Sequence, residues 1–182
     1  NGHISHSTGS TGMGIGFKEA SGALLENNEI IYCALGLSAD LSPFQPDSKI
    51  VLKNNRLAFN GIAINLNSDL KGYEITGNVF EGNLTNVAVG GAGSAKDNVW
   101  RGNYWDDYQG FDRNNDRIGD TPYELYAYAD RIWMEIPQAR FFKSAPLMEA
   151  IDFLERLAPF SSPELILRDE TPRFYKSGKA RK

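Results

Sequence analysis

Residues 55–66 read Asn-Arg-Leu-Ala-Phe-Asn-Gly-Ile-Ala-Ile-Asn-Leu, and residues 78–89 read Asn-Val-Phe-Glu-Gly-Asn-Leu-Thr-Asn-Val-Ala-Val. A shift of 23 lays one on the other: Asn55 on Asn78, Leu57 on Phe80, Asn60 on Asn83, Ile64 on Val87 and Leu66 on Val89. The unit is Asn-x-apolar-x-x-Asn, a short gap, then apolar-x-apolar. Apolar residues two apart follow strand periodicity, because successive side chains of a strand point to opposite faces. Strands this short, broken by frequent turns and recurring at a near-fixed interval, predict one β-solenoid coil per unit.

The pattern extends in both directions. A backward shift of 27 places Asn28, Ile30, Cys33, Leu35 and Leu37 on Asn55, Leu57, Asn60, Ile62 and Ile64. A forward shift of 20 from the second unit reaches Asn98, Trp100 and Asn103, and the same shift at the front places Ile15 and Phe17 on Leu35 and Leu37. Stacked coils are then expected to align Leu57, Phe80 and Trp100 as an inward column, and Asn60, Asn83 and Asn103 as an amide ladder. Asn suits such corners because it tolerates left-handed backbone angles and bonds locally. Cys33 falls in a ladder slot, where a small buried residue is expected. The fold class is all-β, a parallel β-helix (solenoid), with coils over 1–110 and a cap over 111–174 of the same domain.

Composition agrees with that division. Residues 1–97 hold 14 of the 18 Gly and 6 of the 21 aromatics, whereas residues 98–182 hold the other 15 aromatics, all three Trp and 13 of the 19 basic residues. A coil uses residues on corners and leaves few large inward positions, and the bulky remainder is expected to close the stack. A solenoid coil cannot bury its apolar face alone, so further coils are expected before residue 1.

Several classes are excluded. The net charge of -4 over 182 residues argues against nucleic-acid binding, which wants a basic stripe. No stretch approaches the roughly 20 apolar residues of a membrane span, so none is expected in this chain. The single cysteine excludes an intrachain disulfide and a CxxC zinc cluster.

In residues 102–123, Asp112, Asn114, Asp116 and Asp120 stand at positions 1, 3, 5 and 9 of a loop, with the Ile118 carbonyl at 7. Alternating oxygen donors suit a hard cation, and a structural calcium is expected there. The pattern departs from an EF-hand, since Arg117 replaces the flexible Gly and Tyr123 the closing Glu; a polar turn pinned by its own Asx bonds is the alternative. Residues 122–143 are rich in Tyr, Trp and Arg, the residue types that anchor interfaces, and Tyr126, Tyr128, Arg131, Trp133 and Met134 are the candidate partner-binding residues beside a capping role. A helix is expected near 145–158, where Leu147, Ala150, Ile151, Leu154, Leu157 and Ala158 form one stripe before Pro159. Residues 175–182 form a basic tail expected to be disordered.

Residues 102–123, with Gly-Asn-Tyr-Trp-Asp-Asp-Tyr and Asp-x-Asn-x-Asp-x-Ile-Gly-Asp-Thr-Pro-Tyr, look like the closing element of right-handed parallel β-helix proteins of the carbohydrate-binding and sugar-hydrolase (CASH) type. Together with residues 125–142 and 149–161, they resemble the NosD family of nitrous oxide reductase maturation proteins. The resemblance implies a periplasmic, non-enzymatic subunit of an ABC-type complex with a membrane permease and a cytoplasmic ATPase. It further implies help in assembling the reductase's copper–sulfide centre, as a scaffold for transient copper, a copper chaperone or the apo nitrous oxide reductase.

Copper(I) prefers soft thioether, thiolate and imidazole donors. The only two histidines, His3 and His6, lie shortly before Met13, and the shift of 20 places Met13 over Cys33. His3, His6, Met13 and Cys33 are therefore the candidate copper ligands. The alternative function is a carbohydrate-active β-helix, a uronate polysaccharide lyase or epimerase, or a carbohydrate-binding module. Asp47, Lys49, Lys53, Arg56, Asp69 and Lys71 lie near one surface, but they read as solvated charges rather than as a convergent acid–base pair.

Overall fold

The computed structural model describes residues 1–68, 70–90, 93–127 and 164–174. Strands follow one another through the coils as β1 (His3–Ser5), β2 (Met13–Lys18), β3 (Ala23–Glu26), β4 (Glu29–Ile31), β5 (Leu35–Asp40) and β6 (Ile50–Lys53). They continue as β7 (Arg56–Ala58), β8 (Ile62–Leu66), β9 (Tyr73–Thr76), β10 (Val79–Glu81), β11 (Thr85–Val89), β12 (Val99–Arg101) and β13 (Tyr104–Trp105). Two strands follow the coils, β14 (Tyr123–Ala127) and β15 (Glu164–Asp169).

Each coil gives one strand to each of three parallel sheets, ordered β1-β4-β7-β10-β13, β2-β5-β8-β11 and β3-β6-β9-β12. The architecture is thus the expected β-solenoid, with about four turns. Among the described residues there is no helix, and none long and apolar enough to cross a membrane. The expected helix near 145–158 and the tail at 175–182 lie outside the described residues.

The register confirms the central repeats and corrects the outer ones. Leu57 pairs with Phe80, Ile64 with Val87 and Leu66 with Val89, as the shift of 23 requires. Ile30 pairs with Leu57 and Leu37 with Ile64, as the shift of 27 requires. The last coil is instead offset by 25: Val79 pairs with Tyr104, and Phe80 with Trp105. Trp105, not Trp100, therefore continues the inward column, and Trp100 pairs with Ile75. At the front, Ile15 pairs with Leu37 and Met13 with Leu35, an offset of 22. The reason is local. Asn98-x-Trp100 mimics Asn78-x-Phe80 in sequence, but coil length varies with its loops, and the backbone bonds select the spacing.

The amide ladder has a different membership from the one expected. Gly2 N–H donates to Asn28 Oδ1. The backbone N–H and Nδ2 of Asn28 both donate to Asn55 Oδ1, those of Asn55 to Asn78, and those of Asn78 to Asn103. Asn103 thus belongs with Asn28, Asn55 and Asn78, and not with Asn60 and Asn83. A second, shorter ladder runs from Cys33 N–H to Asn60 Oδ1 and from Asn60 to Asn83 Oδ1. Each Asn sits one residue after a left-handed corner. Asn27, Asn54, Gly77 and Gly102 precede the long ladder, and Tyr32, Phe59 and Gly82 the short one, with φ between 54° and 66°.

The core is closed by the segment after the coils. Trp105 stacks on Phe80 at 4.2 Å and on Tyr123 at 4.3 Å, so the inward aromatic column passes from the coils into β14. β14 and β15 pair antiparallel, and just beyond β15 Arg173 forms an isolated parallel bridge with Tyr104 of the last coil. At the end of β15, the buried Asp169 takes the slot that another Asn would occupy and accepts bonds from Asn103 N–H and Nδ2.

Candidate functional site

Alternation along β1, β4, β7 and β10 turns Ile30, Leu57 and Phe80 inward, each 1% exposed or less, and leaves His3, Glu29, Arg56 and Glu81 partly or fully exposed on the outer surface. That surface carries a charge relay across four coils. His3 Nδ1 lies 2.9 Å from Glu29 Oε2. Arg56 donates to Glu29 Oε1 at 2.7 Å and, through Nε and a terminal nitrogen, to Glu81 Oε2 at 3.1 and 2.8 Å. The bond from His3, joined by those from Arg56, holds the Glu29 carboxyl below the usual carboxylate range against the opposing effect of burial. Burial alone would lower the Arg56 guanidinium, but the bonds to Glu81 and Glu29 outweigh it and raise its pKa.

Beside the relay runs a column of rings at the second corner of each coil. His6 lies 5.2 Å from Tyr32, and Tyr32 stacks on Phe59 at 5.3 Å and 13°. The Arg56 guanidinium sits 5.6 Å from the Phe59 ring centre. Tyr32 and Phe59 are 46% and 42% exposed, so the column's edges form part of the outer surface. The next corner is Gly82, at φ +63°, where an added Cβ would lie 2.6 Å from the Phe59 ring. Only a residue without a side chain lets Phe59 lie over that corner.

The four expected copper donors sit in different places. His3 is on the outer face of β1, and His6 is at the corner that follows. Met13 begins β2 on the first coil and is 44% exposed. Cys33 is buried, with its thiol 3.4 Å from the Ile31 carbonyl. The register places Met13 against Leu35 and not over Cys33. A Cβ added at Gly14 would touch both the inward Ile30 side chain and Cys33 Sγ, which puts the thiol on the interior side of the coil, away from His3.

The loop at 112–120 turns its acceptors onto its own backbone. Asp112 accepts the N–H groups of Asp116 and Arg117, and Asp116 accepts that of Ile118. Asn114 also accepts Asp116 N–H, and Asp120 accepts Arg113 N–H. Among the described residues, no three His, Cys, Asp or Glu side chains are grouped as around a metal ion. Of the partner-binding candidates, Tyr126 lies on β14 with its hydroxyl on Glu124, and Tyr128, Arg131, Trp133 and Met134 lie outside the described residues.

Of the surface charges considered for lyase chemistry, Lys49, Lys53, Arg56 and Lys71 are engaged in ion pairs between coils, and Asp69 lies outside the described residues. Lys49 pairs with Glu74, Lys53 with Glu26, and Lys71 with Asp97. Sequence reasoning missed two features. The Glu29–Arg56 pair was visible as opposite charges at equivalent positions of adjacent coils, directly after Asn28 and Asn55. Asp169 had no such signal, because its ladder slot is reached from a strand 66 residues further along the chain than Asn103, outside the repeat.

A family model described as periplasmic copper-binding protein (NosD) matches residues 3–110. The probable ABC transporter binding protein NosD of Stutzerimonas stutzeri is 35% identical over 109 residues, covering 59% of this chain and 25% of that protein. The protein of the same description from Pseudomonas aeruginosa is 32% identical over 112 residues, covering 59% of this chain and 26% of that protein. The matched region spans about a quarter of the length of these relatives.

Proposed function

We propose a copper-handling role in the periplasm for this chain, which belongs to the NosD family. The carrying observation is the match over residues 3–110, which takes in the coils and the outer face bearing His3 and His6. Copper here is cargo rather than a resident cofactor. Imidazole and thioether are suitable copper(I) donors, so His3, His6 and the exposed Met13 offer donor atoms of the right kind, the histidines from the β1 segment and Met13 from the neighbouring sheet, whereas Cys33 is buried. In this role the rigid solenoid is a non-enzymatic scaffold of an ABC-type complex. It presents copper, or receives it from a chaperone, for the copper–sulfide centre of apo nitrous oxide reductase, alongside a permease and an ATPase. The names of the relatives support association with a transporter. The exposed edges of Tyr32 and Phe59, and Tyr126 on the cap, are among the described aromatic groups suited to partner contact.

Copper(I) titration of the chain, against variants with His3 and His6 replaced by Ala, tests this role. Loss of affinity in the double variant supports it, and unchanged affinity overturns these residues as donors. Co-purification with the transporter subunits and the apo-reductase tests the partners.

A structural calcium at Asp112, Asn114, Asp116 and Asp120 is a separate part of the proposal. What supports it is the spacing of oxygen-bearing side chains at positions 1, 3, 5 and 9, whereas the bonds of the loop's N–H groups onto Asp112, Asn114 and Asp116 are those of the alternative, a polar turn pinned by its own Asx bonds. Calorimetry should show heat on adding calcium and a raised melting temperature; neither effect would sink it.

A further inference from the structure

We infer that Glu29 is a positioning residue for copper at His3: its carboxylate keeps the proton on Nδ1 and leaves Nε2 as the metal-facing nitrogen. The inference rests on the proposed role of His3 as a copper donor. An ionised carboxylate is acceptor-only, so the 2.9 Å contact requires Nδ1 to donate, and a neutral ring then carries its lone pair on Nε2. Metal-bound imidazoles commonly give their other N–H to a carboxylate, which sets the tautomer and raises ligand basicity.

The rest of the relay makes this orientation firm. Glu29 Oε1 is held by Arg56 at 2.7 Å, so the carboxylate cannot turn without breaking that bond. Arg56 is held in turn by two contacts to Glu81. The four residues sit on β1, β4, β7 and β10, neighbouring strands of one sheet, and a donor on such a framework is placed more tightly than one on a loop. His6 is oriented differently, by ring contact with Tyr32. The Glu29 effect should therefore be specific to His3.

The test uses the full chain with Glu29→Ala, Glu29→Gln and His3→Ala. Copper(I) affinity is measured by competition with a chromogenic chelator, and the His3 tautomer by nitrogen NMR without metal. Glu29→Ala should weaken copper binding about 10- to 100-fold and shift His3 towards protonation at Nε2. Glu29→Gln, whose amide oxygen still accepts from Nδ1, should retain part of both and serves if Glu29→Ala fails to fold. If His3→Ala weakens binding but neither Glu29 variant changes affinity or tautomer, the inference is overturned and the copper role of His3 stands. If His3→Ala also leaves affinity unchanged, the copper reading of His3 falls, and the inference with it.

Discussion

Asn103 donates its backbone N–H and its Nδ2 to one oxygen of Asp169, at 3.0 and 2.9 Å, and so ends a ladder that begins at Gly2. Every rung donates in the same direction along the stack. The last acceptor is a carboxylate, which takes donors on both oxygens: Gly102 and Thr171 N–H on one, Asn103 and Trp105 Nε1 on the other. An amide can accept on one side only.

Asp169→Asn tests that asymmetry. The new amide can keep the bonds from Asn103, but its NH2 then faces the N–H groups of Gly102 and Thr171. We expect a loss of about 2 kcal/mol, as for a buried donor left without a partner. Urea unfolding followed by the near-ultraviolet signal of the Trp105–Tyr123 stack measures it, and an unchanged midpoint would contradict the account.

Asn78→Ala removes the acceptor of Asn55 N–H and Nδ2 and the donor to the Leu52 carbonyl, all in the interior. The expected cost is about 3 kcal/mol, because several buried backbone and side-chain groups lose their partners together. Asn28→Ala, in a partly buried coil, should cost about 1 kcal/mol. Equal losses in the two variants would show that burial does not set the value of a rung.

At the Gly82 corner, strain and crowding act together. Gly82→Ala places a Cβ in a left-handed conformation and against the Phe59 ring. A loss of about 1–2 kcal/mol is expected from the backbone alone, with a further loss from the displaced ring. Adding Phe59→Ala should recover only the crowding part. A double-mutant cycle with no coupling between the two positions would refute the contact.

The Tyr73 hydroxyl donates to the Ser42 carbonyl at 2.8 Å inside the coil, and burial pushes its pKa well above the ordinary phenol value. A pKa raised on folding stabilises the native state below the unfolded pKa, so this contribution is whole below about pH 10 and is lost as pH rises past it. Tyr73→Phe should flatten the alkaline limb of a stability–pH curve while lowering the plateau by about 1 kcal/mol. Parallel alkaline limbs for the two proteins would be the contrary result.

The coils were legible because their signal is local and repeated. Asn55 and Asn78, with Leu57 and Phe80, carry the same residue types at the same spacing, and stacking follows from that. The candidate donors His3, His6, Met13 and Cys33 were legible only as chemistry. Side-chain type does not say on which side of a coil wall a residue stands. Cys33 and His3 separate because the chain turns through left-handed residues between strands, and each turn resets which way the next side chain points.

From its residues alone, this chain is determined to be a stack of parallel coils, since alternating apolar pairs at corners of Asn and Gly leave few other ways to bury the apolar face. Only the tertiary structure decided the register of the outer coils, the membership of the ladder and its closure by Asp169. Those depend on loop lengths and on a strand about 66 residues further along the chain from Asn103. Hydrogen bonds between coils select such an arrangement once the coils have stacked, and no local pattern encodes it.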